Sequence, residues 1–247
     1  MKGKRQAGRV LAVDIGGTGV KILASGQSER RRFDSGPQMT PQRMVAQIEE
    51  LAADWAFDVV ALGYPGRIVD GRIVAEPRNL APGWVGFDFA AAFGRPVKLI
   101  NDAAMQALGS YRGGTMLFLG LGTGLGSALI VHDHVVPMEV GALAYGKDTI
   151  EDHLGLRGLR KHGRKAWQAT FERLVGRFTT ALYLDDIVVG GGNAKKLKKL
   201  PPGCRLGDNA LAFEGGFRLW APVSFSEPKG TARPAAAAAP AAPPAVG

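Results

Sequence analysis

Cysteine occurs once in the 247 residues, at Cys204. A disulfide framework within the chain is therefore excluded, and so is a zinc site built from several thiolates. A reducing compartment is the expected home. No apolar stretch approaches the roughly 20 residues that a membrane-spanning helix needs, so no membrane association is expected. The opening Met1–Arg9 is basic, but Asp14 breaks the apolar run behind it, which argues against a signal peptide and for a cytoplasmic protein. The nucleotide-binding pattern Gly-x4-Gly-Lys-Ser/Thr is missing. So is any recognised module for reading nucleic acid. Nucleic acid is not an expected partner, although the formal net charge is +9 and a basic surface favours polyanions in general.

What is present begins with two apolar runs, Val10–Ile15 and Val20–Ala24, joined through Gly16-Gly17-Thr18. Such a pattern predicts a β-hairpin. Gly16 and Gly17 can take positive φ and let a ligand approach the bare backbone. The amides of such a turn, with the Thr18 hydroxyl and the Lys21 cation, suit an anion. Asp14 is out of place beside an anion unless a divalent metal bridges them. An ordinary Gly-Gly hairpin with incidental polar neighbours has the same sequence.

Further along, Glu29–Phe33 predicts a third strand, and Thr40-Pro41 predicts a capped helix with Met44, Ile48, Leu51 and Ala52 as its apolar stripe. Asp58–Leu62 reads as a buried strand ending in Gly63-Tyr64-Pro65-Gly66, and Asp70-Gly71 as a hairpin turn. Asn79 lies in the proline-rich segment Pro77–Trp84, where its amide suits a sugar hydroxyl or an Asx-turn. Phe87–Phe93 reads as a short helix. Val97–Ile100 runs directly into Asn101-Asp102-Ala-Ala. That junction reads either as a helix cap or as a carboxylate at a strand end, placed to accept a hydroxyl proton.

The second glycine-rich turn, Gly120–Gly126 with Gly122, Thr123 and Gly124 at its tip, lies between two β-type runs. A dinucleotide fingerprint would need a helix there and a different spacing. His132–Pro137 reads as a connecting turn. Arg157–Lys165 is basic and leads into a helix ending at Leu182, whose Trp167, Phe171, Leu174, Val175 and Phe178 keep core spacing. Asp186–Val189 predicts a buried strand, Lys195–Lys199 is a lysine run, and the last helix ends around Arg218–Trp220. From Ala221 alanine and proline dominate, which predicts a disordered tail over residues 221–247.

Asp14–Lys21 resembles the first phosphate motif of the actin/hexokinase/Hsp70 superfamily, and more narrowly the ROK family of sugar kinases in its polyphosphate-glucokinase-like branch. The Gly122–Gly124 turn resembles that superfamily's second phosphate motif. The fold implied is α/β, the two-lobed actin-like ATPase (ribonuclease H-like) fold of the hexokinase/ROK type, with lobes over residues 1–100 and 101–220. The resemblance makes Asp102 the catalytic base and puts Asn79, Asn101, Asp102, Glu139 and Glu151 on a hexose. Gly16, Gly17, Thr18, Lys21, Gly122, Thr123 and Gly124 would then hold phosphates, and Asp14 would hold Mg²⁺, usually through water. Gly190, Gly191, Gly192 and Asn193 match the family's adenosine loop. Met138–Ala142 matches its sugar-binding Glu-x-Gly-His except that Ala142 replaces the histidine, and no structural zinc segment follows.

The implied reaction is phosphoryl transfer to the 6-hydroxyl of glucose or a similar hexose. The donor is polyphosphate and/or ATP, with the basic segments Arg157–Lys165 and Lys195–Lys199 favouring the polymer. A strictly ATP-dependent hexokinase and a weakened sugar sensor remain as alternatives, and a homodimer stays open.

Overall fold

The computed structural model describes residues 8–221; the basic N-terminus up to residue 7 and the Ala/Pro-rich segment 222–247 lie outside the described residues. The first lobe contains β1 (Val10–Ile15), β2 (Val20–Ala24), β3 (Arg31–Phe33), α1 (Pro41–Leu51), β4 (Val59–Tyr64) and the small hairpin β5 (Ile68–Val69) and β6 (Arg72–Ile73). It continues through α2 (Phe89–Phe93) and β7 (Val97–Asn101) into α3 (Asp102–Ser110). Next come β8 (Thr115–Leu121), β9 (Leu125–Val131), β10 (His134–Met138), the short pair β11 (Ala144–Tyr145) and β12 (Asp148–Thr149), and α4 (Ile150–Leu154). The last elements are α5 (Leu156–Leu182), β13 (Asp186–Gly190), β14 (Cys204–Leu206) and α6 (Leu211–Arg218).

Two five-stranded sheets carry the structure, in the orders β3-β2-β1-β4-β7 and β10-β9-β8-β13-β14. In each, a three-strand antiparallel meander is extended by two parallel strands. The two sheets thus share one topology. Each glycine turn sits at the same place in it, between the first two strands of its sheet, so the two turns are structural counterparts.

Every residue of β1 is buried, as a central strand covered on both faces requires. Helix α1 begins as its sequence demands: the Thr40 side chain accepts from the Arg43 N–H, and Pro41 occupies the first turn. Its buried Met44, Val45 and Ile48 join the first-lobe core with Leu62, Tyr64 and Trp84. In the second lobe, Trp167, Phe171, Leu174, Val175 and Phe178 of α5 pack on Leu117, Leu119 and Ile187, as their spacing implies.

One expectation is corrected here. His132–Pro137 is not a plain connection. His132 and Asp133 form the turn, both at positive φ (45° and 68°), and His134–Met138 is an edge strand on β9. Pro137 is tolerated there because an edge strand need not donate on its outer side. Helix α5 is also interrupted, inside the basic stretch that leads into its longer segment. Gly163, at φ 74° and ψ 163°, breaks α5 into two segments, a conformation outside the right-handed helical region that glycine adopts readily.

A third cluster of buried residues lies between the sheets, where α3 packs on β8, β9 and β13 and meets α6. Helix α6 returns to the first sheet: Trp220 Nε1 donates to the Val60 carbonyl at 3.1 Å, and Lys98 Nζ donates to the Leu219 carbonyl at 2.8 Å. The α3–α6 crossing is close because both helices are bare at the contact. A Cβ on Gly109 would lie 1.7 Å from the Leu211 carbonyl oxygen, and one on Gly215 would lie 1.8 Å from that of Met105.

Candidate active site

The first turn is closed by the Gly16 N–H donating to the Gly19 carbonyl at 3.0 Å, and Ser35 Oγ donates to the Gly16 carbonyl at 2.6 Å. Neither Gly16 nor Gly17 is at positive φ, so close approach rather than backbone handedness calls for glycine here. A Cβ on Gly17 would come within 3.0 Å of the Asn79 Cβ. That contact brings Asn79 against the turn. Its loop is shaped by Glu76, whose carboxylate accepts from the N–H groups of Gly83, Trp84 and Val85. Thr18 is exposed at the tip.

Asp14 and Lys21 are cross-strand partners in the β1–β2 ladder, and Lys21 Nζ lies 3.1 Å from Asp14 Oδ2. Lys21 is therefore turned onto the buried carboxylate, not free at the turn as expected. Mg²⁺ takes one or two carboxylates and leaves its other positions to water and substrate phosphates. Asp14, at the strand end leading into the turn, fits that demand.

Asn101 and Asp102 divide the strand–helix junction between them. Asn101 caps α3, its Oδ1 accepting from the Ala104 N–H at 3.1 Å, while its Nδ2 donates to the Gly66 carbonyl at 3.2 Å. Its amide is thus engaged with backbone, which makes it a positioning residue before it is a sugar contact. Among the described residues, Asp102 accepts a hydrogen bond only from its neighbour, the Ala103 N–H, at 2.8 Å. Burial pushes its carboxyl up to about 7, with the nearby Asp14 and Glu139 carboxylates adding to the rise and the Ala103 N–H opposing it. A carboxylate poised near neutrality is suited to general base chemistry.

Glu139 is raised as well, by burial and then by Glu151, with Arg78 working the other way. Ser127 fixes the backbone on both sides of it: Ser127 Oγ donates to the Met138 carbonyl at 2.8 Å and accepts from the Val140 N–H at 3.1 Å. Ala142 follows on the same short turn and is exposed. Glu151 reaches the second glycine turn, where its Oε2 accepts from the Leu125 N–H at 3.0 Å. A Cβ on Gly124 would lie 2.5 Å from that oxygen, so the glycine makes room for the carboxylate. Across the cleft, Arg78 lies 3.7 Å from the other Glu151 oxygen. Arg78 and Ser127 were not singled out from the sequence. Arg78 could have been, since it adjoins Asn79.

The Gly190–Asn193 loop is locked to the second turn. Asn193 Nδ2 donates to the Gly122 carbonyl at 2.8 Å, and its N–H donates to the Leu121 carbonyl. Gly191, at φ 83°, would put a Cβ 2.5 Å from that same carbonyl oxygen. Asn193→Ala is expected to cost about 1–2 kcal/mol, read as a lower midpoint in urea, and to leave the lock between loop and turn broken. Beside the turn, a cavity of about 510 Å³ is lined by Thr123, Leu156, Arg157, Arg160 and Lys161. The lysine run lies along α5 just past Gly163, where Arg164 Nε donates to the Lys196 carbonyl and Gln168 bonds the backbone of Lys198 and Lys199. All four lysines are exposed.

The two glycine turns and the carboxylates Asp14, Asp102, Glu139 and Glu151 thus converge between the sheets. A family model described as the ROK family matches residues 10–143. The bifunctional enzyme NanE/NanK of Brucella melitensis is 34% identical over 142 residues, which are 51% of this chain but only 27% of that protein. The polyphosphate glucokinase of Mycobacterium tuberculosis (strain CDC 1551 / Oshkosh) is 26% identical over 78% of this chain and 80% of its own length. Among solved structures, the inorganic polyphosphate/ATP-glucomannokinase of Arthrobacter sp. strain KM superimposes with a TM-score of 0.72 at 24% identity, covering 86% of this chain and 98% of that one. The glucokinase of Streptomyces griseus, solved with glucose and AMPPNP, gives 0.65 at 16% identity over 86% and 99%. These structural likenesses bear out the two-lobed actin-like ATPase fold.

Proposed function

The chain belongs to the ROK family, and from that membership and the geometry above we propose that it is a sugar kinase, moving a phosphoryl group to the 6-hydroxyl of glucose or a similar hexose. The observation that carries this reading is Asp102, a carboxylate with one backbone hydrogen bond and a pKa near 7, between two phosphate-type turns. The sugar would lie against Asn79, Glu139 and Asp102, with Asn101 fixing the junction and Glu151 tying the second turn to the sugar side.

In the step proposed, the hydroxyl oxygen forms a bond to the terminal phosphorus of the donor, its proton passes to Asp102, and the bridging P–O bond breaks. The shortened donor leaves as an anion. Phosphoryl transfer depends mainly on positioning and charge neutralisation. The amides of Gly16–Thr18 and Gly122–Gly124 and the Thr18 and Thr123 hydroxyls would provide both at the phosphates. Mg²⁺ held by Asp14, when bound, would neutralise phosphate charge. Because Lys21 pairs with Asp14, its part would be to hold that carboxylate in place.

For the donor we favour inorganic polyphosphate, with ATP accepted as well. The support is the cavity beside the second turn, whose lining brings Arg157, Arg160 and Lys161 together with Thr123. A strictly ATP-dependent kinase is the second reading, supported by the Gly190–Asn193 loop locked to that turn. The deciding assay gives glucose, Mg²⁺ and either donor to the protein in parallel. By analogy with nucleic acids, a polyanion meeting many cations should lose affinity steeply with salt, so the KM for polyphosphate should rise faster than that for ATP. Changing Arg160, Lys161, Lys195, Lys196, Lys198 and Lys199 to alanine should weaken polyphosphate use and spare ATP. Equal losses for both donors would assign these cations to the fold, and no polyphosphate activity in the parent protein would leave the ATP reading.

A further inference from the structure

A second cavity, also about 510 Å³, lies away from the cleft between the β11–β12 hairpin and α5. Tyr145, Lys147, Asp148, His153, Arg173 and Arg177 are among its lining residues. Its charge is one-sided. Asp148 is its carboxylate, and that group lies 3.4 Å from His153 Nε2. Lys147, Arg173 and Arg177 form no ion pair among the described residues. Like charges gathered without partners repel one another, and a fold tolerates them more easily where a counter-ion is recruited.

The two arginines are also positioned by a shared aromatic ring. Arg173 Nη1 donates to the Tyr145 hydroxyl at 3.0 Å, and the Arg177 guanidinium lies 6.0 Å from the centre of the same ring. Tyr145 itself packs edge-on against His153, with ring centres 4.9 Å apart. Arginine forks held in this way match phosphate oxygens better than freely rotating cations do. Their spacing on α5, one helical turn apart, puts both on the same face.

We propose that this cavity is an anion site for phosphoryl groups, separate from the cleft and built by Lys147, Arg173 and Arg177. Its hairpin runs directly into the Thr149 cap of α4, the helix that carries Glu151. The site stands whether or not the cleft uses a phosphate polymer as donor. Two sources could fill it: a free phosphate anion, or the far part of a polymer whose other end lies in the cavity beside Thr123. Between those cavities His153 stacks on His162, with ring centres 5.1 Å apart. Lys161, the neighbour of His162, lines the first cavity.

Titration calorimetry with tripolyphosphate tests the site directly. The Arg173→Ala/Arg177→Ala variant is expected to bind one tripolyphosphate fewer per chain, or to bind it on the order of 10–100-fold more weakly at one site. ATP-dependent turnover should be unchanged, since neither arginine belongs to the cleft. Should circular dichroism show that variant unfolded, Lys147→Ala, at an exposed position, provides the same reading. Long-chain polyphosphate then separates the sources. A loss of affinity larger for the polymer than for tripolyphosphate assigns the site to a continuous chain, and equal losses assign it to a free phosphate anion. Unchanged stoichiometry and affinity in a folded variant would overturn the proposal.

Discussion

Replacing Asp102 by asparagine is expected to lower turnover by about 10²–10⁴-fold while making the protein more stable than the parent at alkaline pH. Asparagine keeps the shape but cannot take a proton. The stability gain follows from the same burial that tunes the base. The carboxyl is raised to about 7 in the fold, above its ordinary value near 3.9, so folding favours the protonated form. The contribution of that neutral form is complete below the ordinary value and is lost as pH rises toward 7. Beyond 7 the parent keeps an ionised carboxylate beside Asp14 and Glu139, whereas asparagine stays neutral. The gain should grow from pH 5 to pH 8 and reach about 2–4 kcal/mol, read as a difference in melting temperature. The parent's kcat/KM should fall below about pH 7. A variant with near-parental turnover, or one whose stability difference ignores pH, would remove Asp102 from the mechanism.

The largest loss of stability is expected at the α3–α6 crossing. Gly109→Ala should cost about 3–5 kcal/mol, the upper range for a point substitution, because its Cβ would sit 1.7 Å from a backbone oxygen that cannot rotate away. The helices would have to separate, opening the cluster of Ala104, Met105, Phe118 and Ala212 between the sheets. Gly176 is the control. It is also a helical glycine, in α5, but an added Cβ meets nothing within 4 Å among the described residues. There Gly→Ala should stabilise by about 0.5–1 kcal/mol through helix propensity alone. Chemical denaturation of both variants reads the contrast, and similar effects at the two positions would mean the crossing relaxes.

These glycines mark where the sequence was legible and where it was not. The β1–β2 hairpin, the capped start of α1 and the core spacing of α5 were readable because each is fixed by neighbours in the chain. So was the strand-to-helix junction at Asn101-Asp102, though not that Asn101 caps while Asp102 stays free. A glycine within a helix is locally just a poor helix former; only the packing of two distant helices shows Gly109 and Gly215 to be contacts. The shared order of the two sheets was hidden for the same reason, since strand pairing across long separations leaves no local period. β10 was missed because His134 and Pro137 disrupt its alternation, and an edge strand imposes little of its own. The Lys21–Asp14 pairing follows from β1–β2 register, but a motif read as a string of ligands left it unseen.

Helix α6 has a consequence for how the protein is made. The last described helix covers β1, the first strand, and a Cβ on Gly216 would already be 2.6 Å from the Ala12 Cβ. A ribosome releases the N-terminal strands long before residues 211–220 emerge, so the first lobe must wait, one apolar face uncovered, until that helix has been made. Such late closure lengthens the interval in which a nascent chain can associate wrongly. A stop placed just before Leu211 would therefore leave the first sheet permanently uncovered, although every strand of both sheets had already been synthesised.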